Sequence, residues 1–197
     1  MFERKDESFM LRITSGIFRG RVIHAPTGTR TRPTQARLRQ ALFNSLQFEI
    51  PDARVLDLFA GSGALGFEAL SRGAREVVFV ENSKPAIKLI EKNAEDLKVT
   101  SLIRILPVSL ESAWGSLEKT QPFDLILADP PYAGGWERKL LEEAPWEKVL
   151  KVEGYFCLEW GRLKSQVDEL PDEVSCLEKV REKNYGDSLL TTYRRKS

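Results

Sequence analysis

Residues 55–66 read VLDLFAGSGALG, an apolar run of strand length that leads into three glycines and then into a helical pattern. Gly61, Gly63 and Gly66 have the spacing G-x-G-x-x-G, which lets backbone N–H groups at the start of a helix approach a nucleotide. Glu81 ends the next apolar run, 20 positions after Gly61, where an acid can bind ribose hydroxyls. The stretch therefore predicts a nucleotide-type site at the edge of a parallel sheet.

Apolar runs of strand length alternate with helical patterns from residue 54 onward. They are residues 54–59, 76–80, 102–106, 123–129 and 154–160. Such continuous runs are typical of strands buried on both faces, as in a parallel sheet covered by helices. Two further runs, 174–180 and 188–194, are separated by a turn too short for a parallel crossover, so they must pair antiparallel. The sequence predicts a doubly wound α/β sheet closed by an antiparallel hairpin.

A basic segment precedes this sheet. Residues 10–47 contain seven arginines and no Asp or Glu, whereas the whole chain has a net charge of only +1. Two short strands around a turn at residues 16–20, followed by a helix from Thr34 to Leu46, predict a β-hairpin and helix here. Guanidinium groups match phosphate oxygens, but arginines paired with carboxylates of the body would give the same pattern. Charge alone leaves both interpretations open.

Composition restricts the classes of protein to which the chain can belong. With 197 residues, 42% hydrophobic and 30% charged, the chain is a globular domain with an appendage. One histidine and two cysteines do not supply a structural zinc site or favour a His-based nucleophile. No apolar stretch approaches the length of a spanning helix, and the N-terminus lacks the apolar core of a signal peptide. We expect a soluble, cytoplasmic monomer with no metal and no membrane contact.

A second motif, DPPY at residues 129–132, follows the fourth apolar run. It falls at the carboxyl end of a central strand, beside the glycine loop. Proline fixes the backbone and leaves carbonyls free, so Asp129 and a proline carbonyl can accept both N–H bonds of an exocyclic amine while Tyr132 stacks on the base. The amine lone pair can then attack a methyl sulfonium in line, aided by positioning and electrostatics. The alternative is a rigid loop without chemistry.

The residue before the glycines indicates which nucleotide is bound. Asp57 would repel the pyrophosphate of a dinucleotide, whereas S-adenosylmethionine offers an ammonium to that carboxylate and has no phosphate. The sequence therefore favours S-adenosylmethionine, with a nicotinamide dehydrogenase as a distant alternative.

These motifs resemble motifs I and IV of amino-group S-adenosylmethionine-dependent methyltransferases. More narrowly, the chain resembles the bacterial 16S rRNA guanine-N2 methyltransferase family of the RsmD type, from Met10 onward. The segments that carry this similarity are LRI at 11–13, GR at 20–21, RPT at 32–34, RLRQALFN at 37–44 and residues 56–73.

The resemblance implies a Rossmann-like class I methyltransferase with a seven-stranded sheet, acting on the exocyclic N2 of a guanine in 16S rRNA, within an assembling small subunit or free. Residues 1–9 precede the family's usual start, 10–50 form a basic RNA-binding extension, and 51–197 form the methyltransferase domain. Val108-Ser109-Leu110 stands where many methyltransferases place an acid or amide for the adenine amine, so we expect Ser109 or a backbone group there.

The site residues that the resemblance implies fall into three groups. The cofactor-binding residues are Asp57, Phe59, Ala60, Gly61, Ser62, Gly63, Glu81, Asn82 and Ser109. The catalytic residues are Asp129, Pro130, Pro131 and Tyr132. The RNA-binding residues are Arg19, Arg21, Arg30, Arg32, Arg37 and Arg39.

Two other functions compete with this one. A DNA adenine or cytosine amino-methyltransferase shares the DPPY chemistry, but sequence-specific DNA readers usually add a recognition domain and only about 50 residues lie outside this sheet. A non-catalytic RNA-binding assembly factor would keep the fold but would not need Asp57, Glu81 and the DPPY motif.

Overall fold

A computed structural model describes residues 9–26, 33–131, 134–161 and 169–197. The elements in chain order are β1 (Phe9–Arg12), β2 (Val22–Ala25), α1 (Pro33–Ser45), β3 (Arg54–Leu58), α2 (Ala64–Ser71), β4 (Glu76–Val80), α3 (Lys84–Leu97), a 3-10 helix (Thr100–Leu102), β5 (Ile103–Leu106), α4 (Leu110–Leu117), β6 (Phe123–Ala128), α5 (Trp136–Glu143), α6 (Trp146–Val149), β7 (Leu150–Trp160), β8 (Glu173–Val174), β9 (Leu177–Tyr185) and β10 (Ser188–Arg195).

The main sheet has the strand order β5-β4-β3-β6-β7-β10-β9-β8. Strands β3 to β7 pair parallel, and β3 lies between β4 and β6. The chain thus builds the sheet outward from β3 in one direction and then in the other, which creates a crevice at the carboxyl ends of β3 and β6. The seven strands expected for this class are present, and the two-residue β8 extends the edge.

The sheet is covered on both faces, which explains its continuous apolar runs. Every residue of β3 is buried. Because side chains alternate along a strand, Val55 packs with residues of α1, α2 and α3, whereas Leu56 packs with residues of α4, α5 and α6. The doubly wound arrangement is therefore confirmed.

The two long C-terminal strands pair antiparallel, as predicted. Ser188 of β10 lies opposite Tyr185 of β9 across a tight turn, and Gly186 adopts a φ of 72° there. On its other side β10 pairs antiparallel with β7. The hairpin thus joins the parallel part of the sheet through its second strand.

The N-terminal strands β1 and β2 form a separate antiparallel hairpin, again as predicted. The connection between them contacts the end of α2, where Ile17 N donates to Ser71 O over 2.8 Å. Gly16 makes this approach possible, because a Cβ at that position would lie 1.8 Å from Ser71 O. The hairpin is therefore docked on the helices that follow β3 and β4.

A buried carboxylate fastens this hairpin to α2. Glu68 is fully buried and accepts from Thr14 N at 2.8 Å, Thr14 Oγ1 at 2.6 Å and Ser15 N at 3.1 Å. Arg72 Nε donates to the same carboxylate over 2.9 Å, and Arg39 Nε lies 3.8 Å from it. One acid thus joins the hairpin, α1 and α2.

Within the described ranges, no helix combines the length and apolar character needed to cross a bilayer. The same part of the chain holds no group of three or more His, Cys, Asp or Glu side chains arranged to bind a metal ion.

Candidate active site

A cavity of about 300 Å³ opens at the carboxyl ends of β3, β4, β5 and β6. Its size falls at the lower end of the range for small-molecule sites. The lining residues are Phe59, Val80, Glu81, Asn82, Val108, Ser109, Leu110, Glu111, Asp129, Pro131 and Trp136. The cavity thus lies in the crevice that the strand order creates. It brings together six of the predicted site residues: Phe59, Glu81, Asn82, Ser109, Asp129 and Pro131.

The glycine loop between β3 and α2 turns sharply. Phe59, Gly61 and Gly63 have φ values of 58°, 55° and 77°, a region that favours glycine. Gly63 N donates to Ala60 O over 2.7 Å and closes the turn. For Phe59 this backbone conformation is strained, and its ring lines the cavity.

Glu81 holds the loop from the neighbouring strand. One carboxylate oxygen accepts from Gly61 N at 2.7 Å, and the other accepts from Asn82 N at 3.0 Å and Ser83 N at 2.8 Å. The 20-residue offset between Gly61 and Glu81 therefore corresponds to a direct contact. This contact also occupies the Gly61 N–H, which a pyrophosphate would need.

Asp57 lies beneath the loop rather than in the cavity. It is almost completely buried, and its carboxylate accepts from Gly66 N over 2.9 Å. Burial, with smaller contributions from Asp129 and Glu81, raises the pKa of Asp57 well above its ordinary value. Asp57 therefore positions the first turn of α2 in this structure, and its predicted contact with a ligand's ammonium stays a prediction.

Asp129 follows β6 and faces the cavity. It is open to solvent there, while the surrounding protein removes part of its hydration. This desolvation, together with the charge of Glu159, raises the pKa of Asp129 to about 8. Glu159 lies at the corresponding position of β7, since Ala128 pairs with Leu158. Asp129 is therefore exposed at the cavity and has a raised pKa.

The other residues of the DPPY motif differ in exposure. Pro131 lines the cavity, whereas Pro130 is buried behind it. Tyr132 lies outside the described residues.

Trp136 forms an aromatic wall of the cavity. The Trp136 ring meets the Phe59 ring edge to face, with centroids 4.9 Å apart. Gly134 and Gly135, with φ values of 117° and 65°, turn the chain into α5 and bring Trp136 to the cavity. Its position four residues after Tyr132 in the sequence already indicated that Trp136 could border the base pocket.

A further group of lining residues comes from the connection after β5 and from the start of α4. Val108, Ser109 and Leu110 form one wall together with Glu111. Ser109 lies at the cavity, directly before α4. Ala60, Ser62 and Gly63 do not line the cavity; Ser62 is buried, and its carbonyl accepts from Asn93.

The predicted RNA-binding arginines separate into three sets. Arg19, Arg21 and Arg37 are exposed. Arg39 is 7% exposed, donates to Arg12 O over 3.0 Å and lies 3.8 Å from Glu68. It is thus an interior partner of an acid in this structure, which does not favour its prediction as an RNA contact. Arg30 and Arg32 lie outside the described residues.

Comparisons with known proteins place the chain in a family. Residues 11–194 match the family described as "Conserved hypothetical protein 95". The chain is 37% identical over 152 residues to the Escherichia coli "Ribosomal RNA small subunit methyltransferase D", covering 74% of this chain and 75% of that protein. It belongs to the RsmD family.

Two further similar proteins match almost the whole length of this RsmD-family chain. The Bacillus subtilis protein YlbH, a proposed rRNA methyltransferase, is 34% identical over 187 residues, which are 94% of this chain and all of YlbH. The solved structure of Escherichia coli yhhF, a proposed methyltransferase, superposes with a TM-score of 0.77 at 31% identity and covers 96% of this chain and 99% of its own. The class I methyltransferase fold is thereby confirmed.

Proposed function

We propose that this RsmD-family protein transfers a methyl group from S-adenosylmethionine to the exocyclic N2 of a guanine in 16S rRNA. Methylation of ribosomal RNA with this cofactor follows from the family. The observation that carries the amine chemistry is the placement of Asp129 and Pro131 in one cavity with Glu81. The choice of guanine N2 rests on the resemblance to the family.

The residues of the cavity fit S-adenosylmethionine. Val80, Val108 and Leu110 provide apolar surface for a flat adenine, and the Glu81 carboxylate retains acceptor capacity for ribose hydroxyls. Glu81 and Asp129 are acidic, which suits a cationic ligand, and the Gly61 N–H is already committed to Glu81. When bound, this cofactor supplies an electrophilic methyl group.

The chain's own contribution is to orient the amine. Asp129 accepts an N–H bond of the exocyclic amine at the cavity, and the adjoining proline carbonyls accept a second one. Holding the amine in this way directs its lone pair away from the ring, and the acceptors stabilise the positive charge that develops on nitrogen. A base can reach Asp129 only when it is splayed from its stack, which favours a loop nucleotide.

The experiment that tests the function is nucleoside mass spectrometry of 16S rRNA from cells with and without this protein. We expect one N2-methylguanosine to disappear in its absence and to return with the purified protein and cofactor. N6-methyladenosine as the product would contradict the substrate and leave the amine mechanism standing. A methyl group on a ring carbon or a ribose would contradict both.

Glu81→Ala should weaken binding of S-adenosylhomocysteine by about 1.5–3 kcal/mol, the scale of hydrogen bonds to a charged group. The variant removes both the acceptor for ribose and the bond to Gly61 N. Titration calorimetry measures the change. Glu111→Ala removes another cavity carboxylate, on α4 rather than beside the glycine loop, and should have a smaller effect. Unchanged affinity in Glu81→Ala would remove Glu81 from the site.

Neutralising Arg19 and Arg21 should reduce the salt dependence of RNA binding. The slope of log K against log salt is negative. Each phosphate that the protein no longer neutralises makes it shallower by about 0.7–0.9, while affinity for the cofactor stays the same. Arg75→Gln with Arg104→Gln is the matched control, since both arginines are exposed outside the basic segment. Equal slopes in the two double variants would show that Arg19 and Arg21 do not bind phosphates.

A further inference from the structure

Asn93 of α3 connects the N-terminal hairpin with the glycine loop. Its side chain is completely buried. Its Nδ2 donates to His24 O at 2.9 Å and to Ser62 O at 3.0 Å, and its Oδ1 accepts from His24 N at 2.8 Å. His24 belongs to β2, and Ser62 lies between Gly61 and Gly63. One amide therefore holds the backbones of both features.

The orientation of this amide is fixed by its partners. Two of them are carbonyl oxygens, which accept only, and the third is a backbone N–H, which donates only. A reversed amide would face oxygen with oxygen at both His24 O and Ser62 O. All three bonds are directional, and the bond to Ser62 O is buried. We therefore expect a displacement of β2 to be transmitted to Ser62, and a displacement of the loop to be transmitted to β2.

The two features that Asn93 joins have different partners under the proposed function. The hairpin carries the exposed Arg19 and Arg21 close to β2 in the chain, and the loop is tied to Glu81 at the cavity. Each ligand would thus restrict one end of the same hydrogen-bonded unit. Thermodynamic linkage requires any such effect to be reciprocal.

We propose that Asn93 is a positioning residue that makes binding of RNA to the hairpin and binding of the cofactor at the glycine loop mutually strengthening. This inference rests on the proposed function, because it needs RNA on the hairpin. It extends that function by giving the two binding steps a common buried joint, distinct from any contact with either ligand.

The test measures affinity for S-adenosylhomocysteine, which does not react, with and without a saturating unmodified 16S rRNA transcript. For the unaltered protein we expect the transcript to tighten binding at least about fivefold, the lower end of typical coupling. Asn93→Asp, which is nearly isosteric but faces both carbonyls with oxygen, and Asn93→Leu should both bring this factor close to one.

The matched control is Ser71→Ala. Ser71 also anchors the hairpin, since its Oγ accepts from Phe18 N over 2.9 Å and donates to Ser15 O, but it sits at the far end of α2 from the glycine loop. This variant should retain the coupling factor of the unaltered protein. Thermal unfolding establishes that each variant is folded before affinities are compared.

A second measurement needs no substitution. Hydrogen exchange of His24 N–H, which Asn93 Oδ1 protects, should slow when S-adenosylhomocysteine binds, although His24 is not a cavity residue. Unchanged exchange there, or a fivefold factor that persists in both Asn93 variants, would overturn the inference. So would independent binding of the two ligands by a protein that methylates the transcript. A protein that fails to bind the transcript at all would instead refute the proposed function.

Discussion

Asp129→Ala should lower kcat by about 10²–10³-fold, the typical effect of removing one preorganised group from a developing charge. Affinity for S-adenosylhomocysteine should change by less than about twofold, because the missing acceptor serves mainly the amine in the transition state. Single-turnover kinetics and titration calorimetry measure the two quantities. Asp129→Asn keeps one acceptor oxygen and should retain more activity than Asp129→Ala.

The reaction should also depend on pH through the same carboxyl group. Because desolvation by the surrounding protein and the charge of Glu159 raise the pKa of Asp129 to about 8, its ionised form, the better acceptor, predominates only above that pH. The rate of methyl transfer should therefore fall as the pH is lowered through about 8. Glu159→Gln removes a neighbouring negative charge and should move the midpoint to lower pH.

Full activity of the Asp129→Ala variant would exclude Asp129 from the amine site.

Glu68→Ala should reduce the free energy of unfolding by about 3–5 kcal/mol, the scale for breaking a buried ion pair from one side. The variant leaves Arg39 and Arg72 without their buried carboxylate and removes the acceptor for Thr14 N and Ser15 N. Urea unfolding measures the decrease. Because the hairpin and α1 no longer share an anchor, limited proteolysis should cut within the N-terminal segment first.

Glu91→Ala is the control for this decrease in stability. Glu91 is an exposed acid on α3, and substitutions at such positions usually change stability by less than about 0.5 kcal/mol. Equal stability of Glu68→Ala and Glu91→Ala would mean that the buried acid does not hold the hairpin to the body.

The sequence was sufficient for the architecture because the relevant patterns are local. The apolar runs that became β3 and β6 are buried on both faces, and only a parallel sheet between two helical layers satisfies them. The spacing of Gly61 and Glu81 likewise marked two residues that prove to be hydrogen-bonded. The DPPY motif directly follows the apolar run of β6. It marked the crevice because ligands of open α/β sheets bind at the carboxyl ends of the strands.

Other site features depend on contacts that no local pattern encodes. Arg39 looks like its exposed neighbour Arg37, and only the position of Glu68 on another helix decides that one is interior. Asp57 precedes the glycines, yet the direction of its side chain depends on the Gly66 N–H that it meets. Asn93 lies in an ordinary amphipathic helix, and its three partners come from two distant segments.

The placement of β10 between β7 and β9 has a consequence for folding kinetics. Strand β9 reaches the parallel part of the sheet only through β10, and β10 pairs Leu189 with Trp160 and Arg194 with Tyr155. The local hairpin β9–β10 can form early, but its docking on β7 closes a long loop and should be slow. Until then β7 is an open edge with unpaired N–H and C=O groups, a template for intermolecular association. Refolding yield should therefore decrease as the protein concentration is raised, because association of the open edge competes with docking of the hairpin.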